Sequence, residues 1–413
     1  MLQKILKILW AVFLFTFPFS VRFVVYEQAS YRFGNFNPWV TGFVYLPEVL
    51  LGVIFVLWLI LNVRRFTVDV WQKYKILFVF LFLFLLNAMV VTLLRGDAVL
   101  LGFFLLRVAE AAIVYLLVKG EVLPIKTTVT VLLSGALFQI VLGYLQWYLN
   151  HSLGLSILGE QAIGGDVLGV AKNDLSEGVK QIRPYGTFLH PNILAAYLMA
   201  ILFISLNHIK GSKLTFWLIA LTAGIWFTGS RAAAIATIAC FGLLVLLTYI
   251  KDIKNRKSII LGLLLLLAVA NVWIFTYSGA IRTGDASWQE RINQNLISRS
   301  IVVAQPLGVG VSNFTLEMEN FASEKLMPWE FQPVHNTYFL VMNEVGIQGL
   351  LILLAAMVLF FWKYWKGQYM LPLMSLILIA PFDHYLWDSF AGMILIAIVL
   401  ASFRMEQEET PVS

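Results

Sequence analysis

The chain has 413 residues, of which 60% are hydrophobic, 15% aromatic and only 13% charged, and its mean hydropathy is +0.84. This composition excludes an ordinary soluble domain and predicts a polytopic membrane protein. The net charge of +6 would suggest nucleic-acid binding in a soluble protein. In a membrane protein, basic cytoplasmic loops explain it, so we expect membrane lipids and no nucleic acid as partners. The single cysteine, Cys240, excludes an intrachain disulfide.

The chain contains about twelve apolar runs near the length of roughly 17 to 25 residues that crosses a bilayer. In chain order they lie at 5–21, 40–61, 76–94, 99–118, 127–149, 193–206, 214–228, 232–250, 259–275, 336–362, 370–382 and 386–403. The pattern predicts an all-α fold in which residues 1–413 form a single integral membrane domain with about 12 transmembrane helices.

The distribution of basic residues predicts the orientation of these spans. If the N-terminus is cytoplasmic, 17 of the 29 lysines and arginines fall in short cytoplasmic loops or termini. This is the asymmetry that the positive-inside rule describes. We therefore expect cytoplasmic N- and C-termini.

Two long loops are then predicted on the outer, periplasmic side, at residues 150–192 and 276–335. Loops of this length usually carry function. Within the second loop, residues 290–306 place Ile292, Leu296, Ile297 and Ile301 at near-helical spacing. This pattern predicts an amphipathic helix that lies along the outer face of the bilayer.

Most of the unusual polar residues fall on the same predicted outer side. Singly, each has a plainer explanation, since a histidine can cap a helix and an arginine can bind lipid headgroups or a nearby carboxylate. Together they favour a site, and several guanidinium groups suit a diphosphate because each binds phosphate oxygens in a bidentate way. The set comprises Arg183, His190, Asn192, Arg231, Arg291, His335, Asn336, Asp383 and His384.

The tenth predicted span opens with an unusual sequence, VHNTYFLVMNEVGIQGL at residues 334–350. On a straight helix, Gly346 and Gly349 lie about 20° and about −40° from His335. Two glycines on the same helical face as His335 predict that a neighbouring helix packs closely there and holds the imidazole in place. Glu344 falls on the opposite face, which argues against a direct contact with His335.

Other motifs set limits on the chemistry. In the fourth span, Arg107 and Glu110 have i,i+3 spacing, which predicts a structural ion pair. The sequence has no Asp-x-Asp, His-Glu-x-x-His, Gly-x-Ser-x-Gly or P-loop motif, so nothing indicates a metal site, a serine hydrolase or an NTPase. We therefore expect no cofactor and no metal.

Four motifs resemble the O-antigen ligase family, which includes lipopolysaccharide O-antigen ligases, O-antigen polymerases and O-oligosaccharyltransferases. The first two are RPYGTFLHPNILAAYL at 183–198 and FTGSRAAAIA at 227–236. The third joins the Glu-Arg pair at 290–291 to AQPLGVGVSNF at 304–314, and the fourth is HNTYFLVMNEVGIQG at 335–349. The resemblance covers most of the chain, and the last two motifs are the more specific.

The resemblance implies a glycosyltransferase of the bacterial inner membrane with the C-type architecture, which needs neither metal nor nucleotide. Its donor would be an undecaprenyl-diphosphate-linked oligosaccharide, and its acceptor lipid A-core or a growing polysaccharide. It implies that His335 is the general base and that Arg231 and Arg291 bind the diphosphate. This chain has Asn295 where ligases often have leucine, and Leu350 where they often have a small polar residue. These departures leave ligase and polymerase both open.

The residues and the resemblance together predict a periplasmic site. In it, His335 is catalytic, and the residues that bind substrate are Arg231, Arg291, Arg183, Asn336, His190, Asp383 and His384. The alternatives are a secondary transporter and a flippase for lipid-linked glycans. A transporter would place polar sites near the bilayer midplane in related halves, whereas a flippase would need the arginines but not His335.

Overall fold

The computed structural model describes residues 1–32, 34–62, 69–176, 179–249, 286–364 and 367–402. The predicted ninth span, at 259–275, lies outside the described residues, as does the start of the second long loop. Fourteen helices, α1 to α14, are described. In chain order they are Leu2–Thr16, Leu46–Asn62, Asp69–Arg95, Ala98–Lys119, Ile125–Leu149, Pro191–His208, Ser212–Phe227, Arg231–Tyr249, Ala286–Ala304, Phe314–Phe321, Thr337–Tyr364, Leu371–Ile379, Tyr385–Asp388 and Phe390–Ser402.

Six of the described helices contain a stretch long and apolar enough to cross a membrane. These stretches are Phe78–Arg95, Ala98–Lys119, Ile125–Leu149, Pro191–His208, Arg231–Thr248 and Thr337–Tyr364. Shorter apolar helices occur at Leu46–Asn62, Ser212–Phe227, Leu371–Phe382 and Phe390–Ser402. The helices agree with a multi-pass membrane protein, while the number of about 12 spans stays a prediction.

The fold is not purely helical, because short strands occur between the helices. The described residues contain six strands, β1 to β6, paired as three two-stranded antiparallel sheets: β1 with β4, β2 with β3, and β5 with β6. The aromatic and β-branched sequence of β1 favours an extended chain. In chain order the strands are Arg22–Tyr26, Tyr31–Arg32, Asn35–Phe36, Gly42–Tyr45, Lys172–Ser176 and Val179–Ile182.

Helix α6 forms the centre of the larger hydrophobic core. Nearly all of its side chains are buried, and it packs against α5, α7, α8, α12 and α14. Pro191 occupies the first turn, where its missing N–H costs nothing. Because α6 is enclosed by other helices, the polar residues at its N-terminal end have fixed neighbours.

Helix α11 is broken at Gly346, which has φ 81° and ψ 171°. The prediction of a straight helix through this glycine is therefore wrong. The prediction that Gly346 lies on the same helical face as His335 is wrong for the same reason. The break admits the segment after α9: Val309 N–H donates to the Asn343 carbonyl at 2.9 Å and Ile347 N–H to the Pro306 carbonyl at 3.0 Å. Gly346 is needed because only glycine adopts this backbone conformation readily.

Helix α9 agrees in part with the predicted amphipathic helix. It spans Ala286–Ala304, and Ile292, Ile297 and Ile301 are buried while Leu296 is 39% exposed. The apolar face therefore packs mainly on the protein rather than on lipid, as its contacts with α10 and α11 show. This correction matters because the helix carries Arg291.

The charged pair in α4 is part of a larger cluster. Arg107 Nη1 lies 3.1 Å from Glu110 and 2.5 Å from Glu48 of α2. Arg107 Nη2 also donates to the Phe43 carbonyl at 2.7 Å. The predicted structural pair is therefore present, and Glu48 is a second carboxylate that the sequence spacing did not reveal.

Candidate functional site

Asp383 lies at the point where the ends of α6, α11 and α12 meet. It is 5% exposed, and its Oδ2 accepts a hydrogen bond from Asn192 Nδ2 at 2.7 Å. Its Oδ1 accepts from the His384 amide at 2.9 Å, and its carbonyl accepts from Thr337 Oγ1 at 2.7 Å. The carboxylate is thus held by α6 and by its own turn, and α11 holds the backbone of that turn.

His335 lies beside this carboxylate, with Nδ1 3.7 Å from Asp383 Oδ1. The side chain of His335 is only 16% exposed, and Nδ1 has no hydrogen-bond partner. Asn336 caps α11, because its Oδ1 accepts from the amides of Tyr338 at 3.0 Å and Phe339 at 3.2 Å. His335 is therefore not needed as a helix cap, which removes the plainer explanation for it.

The surroundings keep His335 neutral. Burial lowers its pKa below the usual 6.5, and the positive charges of Arg291 and His384 act in the same direction. Asp383 opposes this shift but does not reverse it. An uncharged imidazole near neutral pH can accept a proton.

Burial alone would raise the pKa of Asp383, but the contact with His335 and the nearby histidines hold it well below its usual range. Burial would also lower the pKa of His384, yet Asp388 and Asp383 raise it. His384 Nδ1 lies 2.7 Å from Asp388 Oδ2, and its ring packs edge-on against Trp39 at 4.8 Å. The two neighbouring histidines, with rings 5.2 Å apart, therefore have opposite pKa shifts.

Arg183 reaches Asp383 indirectly. Its Nη2 donates to Asn192 Oδ1 at 2.8 Å, and its Nε donates to the Thr228 carbonyl at 2.8 Å. Burial lowers the pKa of Arg183, and the charges of Arg291 and Arg231 lower it further. The three arginines that the sequence singled out therefore face a common region.

The other two arginines come from separate helices. Arg231 is the first residue of α8 and has an exposed side chain. Arg291 of α9 is half-buried, and its Nη1 donates to the Phe382 carbonyl at 2.7 Å. This bond fixes α9 next to the turn that carries Asp383 and His384.

His190 uses its Nδ1 atom for a hydrogen bond at the start of α6. Its Nδ1 accepts a hydrogen bond from the Asn192 amide at 3.1 Å, which caps α6. Burial lowers the pKa of His190 to about 3, so its ring stays neutral. It supports Asn192 rather than presenting a free polar atom.

A family model described as Wzy_C, O-Antigen ligase, matches residues 214–354. The chain carries an O-antigen ligase family domain. The match contains three of the four motifs, all but the one at 183–198, and so confirms the resemblance to this family. It indicates glycosyltransferase activity of the O-antigen ligase or polymerase type in a multi-pass membrane protein. No curated protein matches the chain.

The O-antigen ligase match contains only part of the assembled cluster. Arg231, Arg291, His335 and Asn336 lie inside the matched residues. The predicted site residues beyond it are Arg183, His190, Asp383 and His384. The hydrogen bonds of Arg183 with Thr228 and of Arg291 with Phe382 join these residues to the matched region, so both groups belong to one cluster.

Three side chains of the cluster could approach a single cation. One ligand atom each from His335, Asp383 and His384 lies within 4.8 Å of the others. Zinc ligands at about 2.1 Å from the metal lie about 3.4 Å apart, whereas Asp383 Oδ1 lies 3.7 Å from His335 Nδ1 and 3.9 Å from His384 Nε2. Hydrogen bonds to Asn192 and Asp388 already engage Asp383 and His384.

Sequence reasoning missed three contributors to this site. Asn192 was noted as polar but was not assigned to substrate, and Trp39 and Asp388 were not considered. Asp388 could have been found, because it lies four residues after His384, a spacing that brings side chains together on a helix. The contact of Trp39 with His384 joins distant parts of the chain, and no local pattern indicates it.

Proposed function

We propose that the protein transfers a glycan from an undecaprenyl-diphosphate carrier to an acceptor hydroxyl at the outer face of the bacterial cytoplasmic membrane. The observation that carries this proposal is the neutral His335 beside Asp383, with Arg183, Arg231 and Arg291 around the same region. A base next to several fixed cations fits a reaction in which a hydroxyl loses a proton and a diphosphate departs.

His335 acts as the general base. Asp383 orients the ring from the Nδ1 side, so Nε2 is the nitrogen that takes the proton, which requires the tautomer with hydrogen on Nδ1. The separation of 3.7 Å is longer than a hydrogen bond. Such contacts commonly tighten when substrate binds.

The arginines stabilise the leaving group. The acceptor oxygen forms a bond to the anomeric carbon, and the bond from that carbon to the phosphate oxygen breaks with its electron pair. Undecaprenyl diphosphate leaves with the added negative charge, which Arg231, Arg291 and Arg183 offset. The proton passes from the acceptor hydroxyl to His335 and then to solvent. No metal or other cofactor takes part in this scheme.

The acceptor is lipid A-core for a ligase or a growing polysaccharide for a polymerase. The test incubates purified protein in nanodiscs with an undecaprenyl-diphosphate oligosaccharide, with and without lipid A-core, in the presence or absence of EDTA. We expect transfer that EDTA does not reduce. A ladder of products without lipid A-core would identify a polymerase, and a single addition to lipid A-core a ligase.

The same assay separates the other classes of function. A transporter or flippase would move the donor across the membrane without forming a new glycosidic bond. Flipping of the donor in proteoliposomes, without any transfer product, would overturn the proposal. Transfer that is lost with EDTA and restored by a divalent cation would overturn the metal-independent mechanism alone.

A further inference from the structure

Glu344 is a buried carboxylate in the middle of α11, two residues before the break at Gly346. It is 4% exposed, and its Oε2 accepts a hydrogen bond from Trp387 Nε1 at 2.6 Å. A carboxylate inside a membrane-spanning segment is unfavourable unless donors surround it.

The segment that enters the break supplies further contacts to Glu344. The backbone amides of Ser312 and Phe314 face its carboxylate. Gly310 N–H donates to the Glu344 carbonyl at 2.9 Å. Ser312 has φ 61°, a conformation that is unusual for a residue other than glycine and that its surroundings must maintain.

These contacts join the three segments that carry the proposed site. Helix α11 begins directly after His335 and Asn336, and the segment with Ser312 follows α9, which carries Arg291. Trp387 lies in α13, four residues after Asp383. Glu344 lies in α11, the helix that begins just after His335. Its side chain contacts the segment after α9, the helix that carries Arg291, and it contacts α13, which follows Asp383.

A second bond near Glu344 supports the same connection. Asn343 Nδ2 donates to Ser298 Oγ of α9 at 2.6 Å, and both side chains are fully buried. The two neighbouring residues of α11 thus hold α9 and the segment that follows it. Displacements of about 1 Å between reacting groups can cost on the order of 100-fold in rate, so such connections affect catalysis without touching substrate.

We propose that Glu344 is a positioning residue that sets His335, Asp383 and Arg291 at their working separations through its bonds to Trp387 and to the segment after α9. This inference rests on the proposed transfer reaction. Glu344 takes no proton from the substrate in this role. Its carboxylate acts only as an acceptor for N–H groups from two other parts of the fold.

The test compares Glu344→Gln with Trp387→Phe. Glutamine keeps the shape but turns one acceptor oxygen into a donor, and phenylalanine removes the indole N–H while it keeps a ring against Phe104 and Phe84. We expect kcat per folded molecule to fall about tenfold or more in each variant. The loss in the double variant should be smaller than the product of the two single losses, because both changes act on the contacts of the same side chain.

Glu48→Gln is the matched control, because it alters another buried carboxylate of an apolar helix, the partner of Arg107. It should lower the thermal midpoint but leave kcat unchanged. Hydrogen exchange gives a readout independent of transfer: the amides of residues 309–314 should exchange faster in Glu344→Gln and not in Glu48→Gln. If Glu344→Gln does not fold, the kcat of Trp387→Phe tests the positioning role.

Wild-type kcat in folded Glu344→Gln or in Trp387→Phe would overturn the positioning role and leave the proposed function intact. An equal loss of kcat in Glu48→Gln would also overturn it, because the effect would then follow from general destabilisation. A wild-type protein that transfers no glycan would overturn the proposed function, and the positioning role with it.

Discussion

Asp383 Oδ1 lies 3.7 Å from His335 Nδ1, where His335 precedes α11 and Asp383 follows α12. The carboxylate is fixed by Asn192 and by its own turn, whereas Nδ1 of the histidine has no hydrogen-bond partner. The fixed carboxylate can therefore accept a hydrogen bond from Nδ1–H when substrate tightens the contact. Nε2 is then left as the nitrogen that accepts the proton.

The first prediction concerns the pH dependence of transfer. The pKa of His335 lies below 6.5, so the imidazole is neutral at pH 7 and becomes charged only as the pH falls through that lowered value. Transfer should therefore be constant near neutrality and decline with a midpoint below pH 6.5.

His335→Ala should lower turnover by about 100-fold or more and retain donor binding.

The control for this prediction is His151→Ala, which removes an exposed histidine from the first long loop. Turnover and donor binding are measured separately on proteins with matched melting behaviour. Near-normal turnover in folded, donor-binding His335→Ala would remove His335 from the chemistry.

The second prediction tests Asp383 through the same pH profile. Asp383 raises the pKa of His335 against the effect of burial. Asp383→Asn should therefore move the acid midpoint of transfer to still lower pH, and turnover should fall because the ring loses its orienting carboxylate. A full rate profile from pH 5 to 8 is the measurement. A midpoint that moves upward would contradict the assigned contact.

The sequence predicted that these polar residues lie near one another, because the parity of the predicted spans places particular helix ends on the same side. Arg183, Arg291, His335 and Asp383 are indeed brought together. The break at Gly346 could not be predicted, because a positive φ leaves no periodic signal and the following residues remain apolar. Contacts such as that of Trp39 with His384 depend on the tertiary fold alone.

The third prediction distinguishes two arginines of the same helix. Arg291 donates to Phe382 next to Asp383, while Arg299 is exposed on α9. Arg291→Lys should impair transfer far more than Arg299→Lys, because lysine keeps the charge but loses the planar fork that binds a diphosphate. Donor titration and initial rates at equal expression are the measurements. Equal activities in both variants would place Arg291 outside the site.

The fourth prediction concerns orientation in the membrane. Ser323 is exposed and follows α10, whereas Ser212 is exposed at the first position of α7. The charge asymmetry predicts that these positions lie on opposite sides. Ser323→Cys should react with an impermeant thiol reagent from the periplasm and Ser212→Cys should not. The native Cys240 is buried and gives little background. The reverse labelling would invert the orientation and the side of the site.

The fifth prediction concerns Gly346. An added Cβ would lie 2.5 Å from the Leu307 carbonyl oxygen, and the backbone has φ 81°. Gly346→Ala should therefore destabilise the protein by about 1–3 kcal/mol, since the strained backbone must be held and the segment after α9 must move away. Gly242→Ala in α8 is the control, because a Cβ there meets nothing within 4 Å.

Thermal unfolding in detergent and transfer per folded molecule are measured for both glycine variants. Gly242→Ala should match or slightly exceed the wild-type stability, because alanine reduces the freedom of the unfolded chain. Gly346→Ala should lose transfer even below its melting temperature, because the displaced segment carries the contacts that fix α9 and Arg291 against α11. A Gly346→Ala protein with wild-type melting and turnover would show that the break in α11 does not control the site.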